Sequence, residues 1–297
     1  MTQGVGLAAL SLATEYRTGE TDPVEQFYQP CLLLACEYKR AVGFFRSSVF
    51  LIVGPSTVEF ARRGGHIRLI CSPALVDEDA QSIEAGYEAR QKALEHSLSE
   101  EIDQLLASET TAYRTRVLAT LIAIGTLDIR LALRPAALGL YHEKLGLFRD
   151  AQGQCVSFLG SANETWAGWH QRGNYEAIEV FCSWRGGAEA ERVARHEAYF
   201  ERLWEGIVPG IEIVCFPEAA RRRLIAASLG SFSAVDVEFI KPHPKKRSTL
   251  PYQSDAIEAW KRAGRRGIFE HATGSGKTFT ALLIIQEHIS AGYLLNK

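Results

Sequence analysis

The segment that most constrains this chain is YHEKLGLFRDAQGQCVSFLGSAN, residues 141–163. Side chains of an extended strand alternate between two faces, so His142 and Lys144 point one way while Tyr141, Glu143 and Leu145 point the other. The strand continues through Leu147, Phe148 and Arg149, a glycine-containing turn covers Asp150 to Gln154, and Cys155 to Leu159 return. This pattern predicts a β-hairpin. Its return leg carries Gly160, Ser161 and Asn163 back towards His142 and Lys144. A histidine that can attack, a lysine and an asparagine that can hold phosphate oxygens, and a Gly-Ser turn that admits close backbone approach are the parts that metal-free phosphodiester chemistry needs.

Around the hairpin, strands and helices alternate. From Pro23 a helical pattern carries Phe27, Leu32, Leu34 and Cys36 towards Tyr38, and Ala41–Phe45 reads as a short apolar strand. Ser47 or Ser48 can cap a helix ending near Arg62, and Ile67–Cys71 reads as a strand. Such a β-α-β unit predicts a parallel pair covered by a helix. An amphipathic insertion places Ile83, Tyr87, Leu94, Leu98, Ile102 and Leu105 at helical spacing. A helix over Thr111–Ile124 is ended by Gly125, and a half-buried strand over Leu127–Leu133 by Pro135. Beyond the hairpin come a short helix or turn (Glu164–Trp169), a strand (Ala177–Phe181), a helix (Glu189–Trp204) and a strand (Ile211–Phe216) that Pro217 stops. The order predicts an α/β sandwich with the hairpin strands central.

At 297 residues, 46% of them hydrophobic, the chain has material for one large core or two. The net charge of -2 says little, but charge is unevenly spread. Residues 77–109 hold ten carboxylates against Arg90 and Lys92, whereas residues 221–266 hold eleven Arg and Lys against four acids. The basic stretch suits either a polyanionic partner or plain solvation. Cys31, Cys36, Cys71, Cys155, Cys182 and Cys215 are scattered and read as buried reduced thiols, not a zinc site or disulfide frame. No apolar run approaches the ~20 residues that span a bilayer, and no charged-then-apolar leader opens the chain. A soluble, cytoplasmic protein without membrane partners is expected.

A second motif lies near the end. Gly267–Glu270 reads as a strand, ATGSGKT fills Ala272–Thr278, and Phe279–His288 follows as an apolar helix. In that context the backbone of Gly274 and Gly276 can face phosphates, Lys277 can reach the β and γ phosphates, and Thr278 can hold magnesium. His271 stands where the longer P-loop pattern has its leading glycine. Only twenty residues follow Lys277, too few for an acidic motor segment, so a fragment of a longer polypeptide is expected. Between the motifs, KPHPKKRSTLPY reads as a linker. Lys245, Lys246 and Arg247 there are either nucleic-acid contacts or solvated linker charges. Trp166 and Trp169 either stack bases or pack.

His142, Lys144, Gly160, Ser161 and Asn163 resemble the HKD motif of the phospholipase D superfamily. The family's aspartate position holds Arg149, with Asp150 one residue later, and Glu176 in GNYEAIEVF matches the glutamate that orients the histidine. The resemblance extends over roughly residues 25–215 and is closest to the single-motif nuclease branch joined to helicases in bacterial restriction and phage-defence proteins. ATGSGKT and the upstream Pro251-Tyr252-Gln253 resemble motif I and the adenine-contacting segment of superfamily 2 helicases and restriction translocases.

These likenesses imply a mixed sheet sandwiched by helices at 23–229, after an N-terminal extension (1–22). A basic linker (230–250) and the start of a RecA-like P-loop domain (251–297) follow. The implied activity is metal-independent DNA cleavage by a homodimer. His142 is the nucleophile, Lys144, Asn163 and Ser161 hold phosphate oxygens, Glu176 orients the ring and Asp150 has a structural part. The nuclease domain needs no cofactor. ATP and magnesium would serve the complete motor through Gln253, Gly274, Gly276, Lys277 and Thr278, and other restriction or defence subunits are implied partners. A phospholipid phosphodiesterase and a catalytically weak nucleic-acid-binding module are the alternatives.

Overall fold

The computed structural model describes residues 5–43, 50–73, 87–107, 112–134, 141–163, 174–232, 251–266 and 280–285. The chain forms two compact units, Met1–Pro242 and His243–Lys297. The residues expected as linker charges, the two tryptophans after the hairpin and ATGSGKT all lie outside the described residues.

In the first unit the described strands are β1 (Glu15–Arg17), β2 (Glu37–Val42), β3 (His66–Cys71), β4 (Leu127–Leu133), β5 (Lys144–Arg149), β6 (Cys155–Gly160), β7 (Ala177–Cys182) and β8 (Glu212–Cys215). They make one mixed sheet in the order β1-β7-β6-β5-β2-β3-β4-β8. β2, β3 and β4 run parallel, as the β-α-β pattern requires, and the remaining pairings are antiparallel. The hairpin strands β5 and β6 therefore sit inside the sheet.

One face carries the larger core. Phe27 meets Phe148 and Phe158 edge-on, at 6.0 and 5.1 Å between ring centres, and Tyr38 stacks on its cross-strand partner Phe148 at 4.6 Å. Helices α1 (Gln29–Leu34), α2 (Phe50–Arg62), α3 (Tyr87–Ala107) and α4 (Ala112–Ala123) contribute to this core, as does α6 (Glu218–Ala226). The opposite face is covered by α5 (Gly187–Trp204), whose Val193, Phe200 and Leu203 join Ala41, Ile70, Leu145 and Leu147. Each buried valine, leucine, isoleucine or phenylalanine among them contributes about 1.5–3 kcal/mol.

Ion pairs complete the docking of α5. Glu197 takes Arg149 Nη2, and Glu201 takes Lys39 at 2.8 Å and both terminal nitrogens of Arg68 at 2.6 and 2.7 Å. Partial burial pushes the Glu201 carboxyl up, but hydrogen bonds from Arg68 and Lys39 outweigh it and hold the group at about 2.

Several expectations change. β2 starts at Glu37, not Ala41, because Lys39 and Arg40 are buried with partners and belong to the strand. Residues 1–22 are not a mere extension: Leu7, Leu12 and Tyr16 are in the core, and β1 pairs with β7. Cys36 and Cys215 are exposed, while burial raises the other four thiols, Cys71 to about 12 and Cys182 to about 11. The helix α6 had no counterpart in the sequence reading. No described helix is long and apolar enough to cross a membrane. In the second unit, helix α7 (Pro251–Arg262) carries Gln253 with its side chain buried.

The depressed Glu201 carboxyl fixes an acid response. Its folded value lies below the ordinary 4.5, so the stability it gives is complete above pH 4.5 and is lost as pH falls through about 2. The urea midpoint of the wild type should fall across that window. Glu201→Gln should lower the midpoint at neutral pH and flatten the acid decline. An unchanged acid decline in the variant would show that Glu201 is not its source.

Candidate active site

Tyr141, His142 and Glu143 immediately precede β5, and the His142 and Lys144 side chains meet. Lys144 Nζ lies 2.9 Å from His142 Nδ1, 3.3 Å from Nε2 and 3.3 Å from the His142 carbonyl oxygen. The Lys144 amine thus stands against the imidazole ring and near both of its nitrogens. The ring is exposed and open to a substrate. Burial lowers the Lys144 pKa, the Arg40 charge lowers it further, and Glu176 and Glu143 oppose both.

The floor of the site is Gly43, just beyond the Val42–Lys144 pair that ends β2. A Cβ at Gly43 would stand 2.6 Å from His142 Cδ2 and 3.3 Å from Asn163 Oδ1. His142 and Asn163 therefore converge on the volume that glycine leaves open.

Asn163 is delivered by the turn that leaves β6. Gly160 must be glycine, since a Cβ there would come within 2.3 Å of the Ala177 carbonyl oxygen. Ser161 clamps the turn to β7: its N–H donates to Ala177 O at 3.1 Å, and its Oγ accepts the Ala177 N–H at 3.2 Å. The hydroxyl proton stays available to a phosphate oxygen. The Ala162 carbonyl accepts from Arg40 Nη2 at 2.7 Å.

Glu176 is buried just before β7. Its N–H donates to Thr18 Oγ1 at 2.8 Å, its carbonyl accepts the Thr18 N–H at 3.1 Å, and its carboxylate accepts Asn174 Nδ2 at 3.1 Å. The segment after β1 thus fixes the acid that stands near Lys144. A cavity of about 380 Å³ opens beside His142, lined by Arg134, Tyr141, Glu143, Pro209, Gly210 and Ile211.

Asp150 is not brought to this group. β5 is six residues long, so Asp150 stands roughly 20 Å along the chain from Lys144. Its carboxylate accepts the N–H groups of Leu7 at 2.8 Å, Gln152 at 3.0 Å and Gln154 at 2.8 Å. It closes the hairpin turn and ties the N-terminal segment to it. Arg149, in the family's acid position, points to α5 and pairs with Glu197. Gln253 belongs to the second unit, and Gly274, Gly276, Lys277 and Thr278 lie outside the described residues.

Gly43, Arg40 and Thr18 are contributors that the sequence reading missed. A strand begun at Glu37 would have placed Arg40 between Tyr38 and Val42 on the aromatic face. For Gly43 and Thr18 the sequence carries no local signal, because their role depends on chain remote from them.

The family model "Type III restriction enzyme, res subunit" matches residues 246–294, a span that includes ATGSGKT. No curated protein matches the chain significantly. Solved structures similar to it include NucT from Helicobacter pylori, with 14% identity, TM-score 0.38 and coverage of 68% of this chain and 98% of that one. Nuc from Salmonella typhimurium, a phospholipase D family member, has 9% identity, TM-score 0.38 and coverage of 64% and 92%. Phosphatidylserine synthase from Haemophilus influenzae Rd KW20 has 12% identity, TM-score 0.39 and coverage of 71% and 44%. At TM-scores this low, the chemistry must be read from this chain's own side chains.

Asp150→Ala would leave three backbone donors without their acceptor and should destabilise the chain by about 3 kcal/mol. Urea titration would measure the loss. The ring-proton signals of His142 should stay in place, and a large displacement of them would mean that Asp150 acts on the site after all.

Proposed function

We propose that this hairpin forms a phosphodiesterase site that cleaves DNA without a metal, through a phosphohistidine on His142. The observation that carries the reading is the Lys144 ammonium set against the His142 ring beside Asn163. In the first displacement a ring nitrogen attacks phosphorus; the P–N bond forms as the P–O bond to the leaving strand breaks. Lys144, the Asn163 amide and the Ser161 hydroxyl hold the nonbridging oxygens, where negative charge grows. Glu176 steadies the basic side of the site.

The leaving oxygen needs a proton from a group other than His142. A second copy of the chain, related by a twofold axis, would supply it from its own histidine and later take a proton from the attacking water. Water then displaces the ring, breaking the P–N bond. DNA is favoured over lipid as substrate because the same chain carries the restriction-type segment at 246–294. On this reading that segment begins an ATP- and magnesium-dependent motor of a restriction or defence protein, which other subunits would join.

Cleavage of DNA should persist in excess EDTA, and His142→Ala should lose at least about 100-fold in rate. Alkaline denaturation during turnover should retain labelled phosphate on His142. EDTA-sensitive cleavage, or cleavage undiminished in His142→Ala, would falsify the mechanism. Headgroup release from phosphatidylcholine vesicles with DNA left intact would move the substrate to lipid. Sedimentation at micromolar concentration should show a dimer, and a monomer that cleaves at full rate would remove the second histidine from the scheme.

A further inference from the structure

Among the described residues Arg40 is one of the largest fully buried side chains, with only 1% of its surface exposed. A buried guanidinium is costly unless it is well partnered, and an apolar residue would pack against the same aromatic face at less expense. Two of its contacts lead to the neighbouring strand and to the turn of the site. Nη2 donates to the Ala162 carbonyl at 2.7 Å, and the guanidinium lies 4.9 Å over the Phe158 ring.

Gly146 makes that stacking possible. It pairs with Arg40 on one side and Phe158 on the other, and a Cβ on it would stand 2.0 Å from Phe158 Cζ. The ring thus lies across the glycine towards β2, under the arginine. Three residues on three adjacent strands form one row, and the row ends on the turn that carries Asn163.

We propose that Arg40 is a positioning residue of this site, holding the Gly160–Asn163 turn so that Asn163 stays over Gly43 beside the His142–Lys144 pair. Its kinetic consequence rests on the phosphodiesterase reading, and its spectroscopic one on the geometry alone. A second effect follows from its charge. Lys144 is faced by His142, Glu143, Glu176 and Arg40, and of these Arg40 joins burial in lowering the lysine's pKa.

The test compares the full chain with Arg40→Met, which keeps bulk without charge, and Arg40→Lys, which keeps charge without the planar fork. For bis(p-nitrophenyl) phosphate, Arg40→Met should lose about 100-fold in kcat while KM stays within about threefold, the mark of lost positioning. Its Asn163 side-chain amide signals should move, and Lys144, followed by NMR at Cε, should titrate at higher pH. Arg40→Lys should keep the Lys144 titration near wild type and still displace the Asn163 signals; it carries the test alone if the Met variant does not fold. Folded variants with unmoved Asn163 signals and unchanged kcat overturn the proposal. If the wild type itself does not cleave the diester, the phosphodiesterase reading fails, and the Asn163 signals still decide the role of Arg40.

Discussion

The pairing of β2 with β5 is the contact on which the rest of the fold depends. It joins the parallel half of the sheet (β2, β3, β4) to the antiparallel half built on the hairpin, and its register sets Val42 opposite Lys144. That one pair places Gly43 beneath His142. The carboxyl end of a parallel strand is where open α/β sheets place their ligands, because chain leaving the strands there is free to diverge. Here β2 ends beside a strand running the other way, so the end of one strand and the start of another supply the site together. A slip of one residue in this register would turn His142 and Lys144 together to the α5 face, away from Gly43 and Arg40.

Charge is used inside the molecule more than its net value suggests. The α5 helix is held by Glu197 and Glu201 against Arg149, Lys39 and Arg68 on three adjacent strands. Asp103, in the acidic insertion, pairs with Arg223, in the basic stretch. Part of the charge that pointed to an outside polyanion is therefore answered by a neighbouring helix. Both partners of that pair are about half exposed, so its contribution to stability is small. What it fixes is which helix faces which.

The hairpin was legible because its signals are local: alternation, a glycine turn and a short return. The parallel pair was legible for the same reason, with a helix of ordinary length between two apolar runs. Legibility failed where a residue's meaning depends on distant chain. Lys39 and Arg40 look like solvent-facing charges until Glu201, the Phe158 ring and the Ala162 carbonyl are brought to them. Leu7 and Tyr16 look like a loose tail until β7 offers an edge. In the candidate site, His142, Lys144, Ser161 and Asn163 could be named from their order in the hairpin, whereas Gly43 enters it only because two remote side chains fill the space a Cβ would take.

The acid displaced by one residue shows how local geometry sorts a motif into parts. Residue 149 is the last of β5 and its side chain faces α5, so an aspartate there would meet Glu197 across the same gap that Arg149 now fills with opposite charge. Residue 150 has left the strand and points into the turn, where a carboxylate can take three backbone N–H groups at once. An acid is useful at the second position and repelled at the first. Asp150 therefore fastens the hairpin at the far end of β5, away from the histidine, the lysine and the turn that bears Asn163.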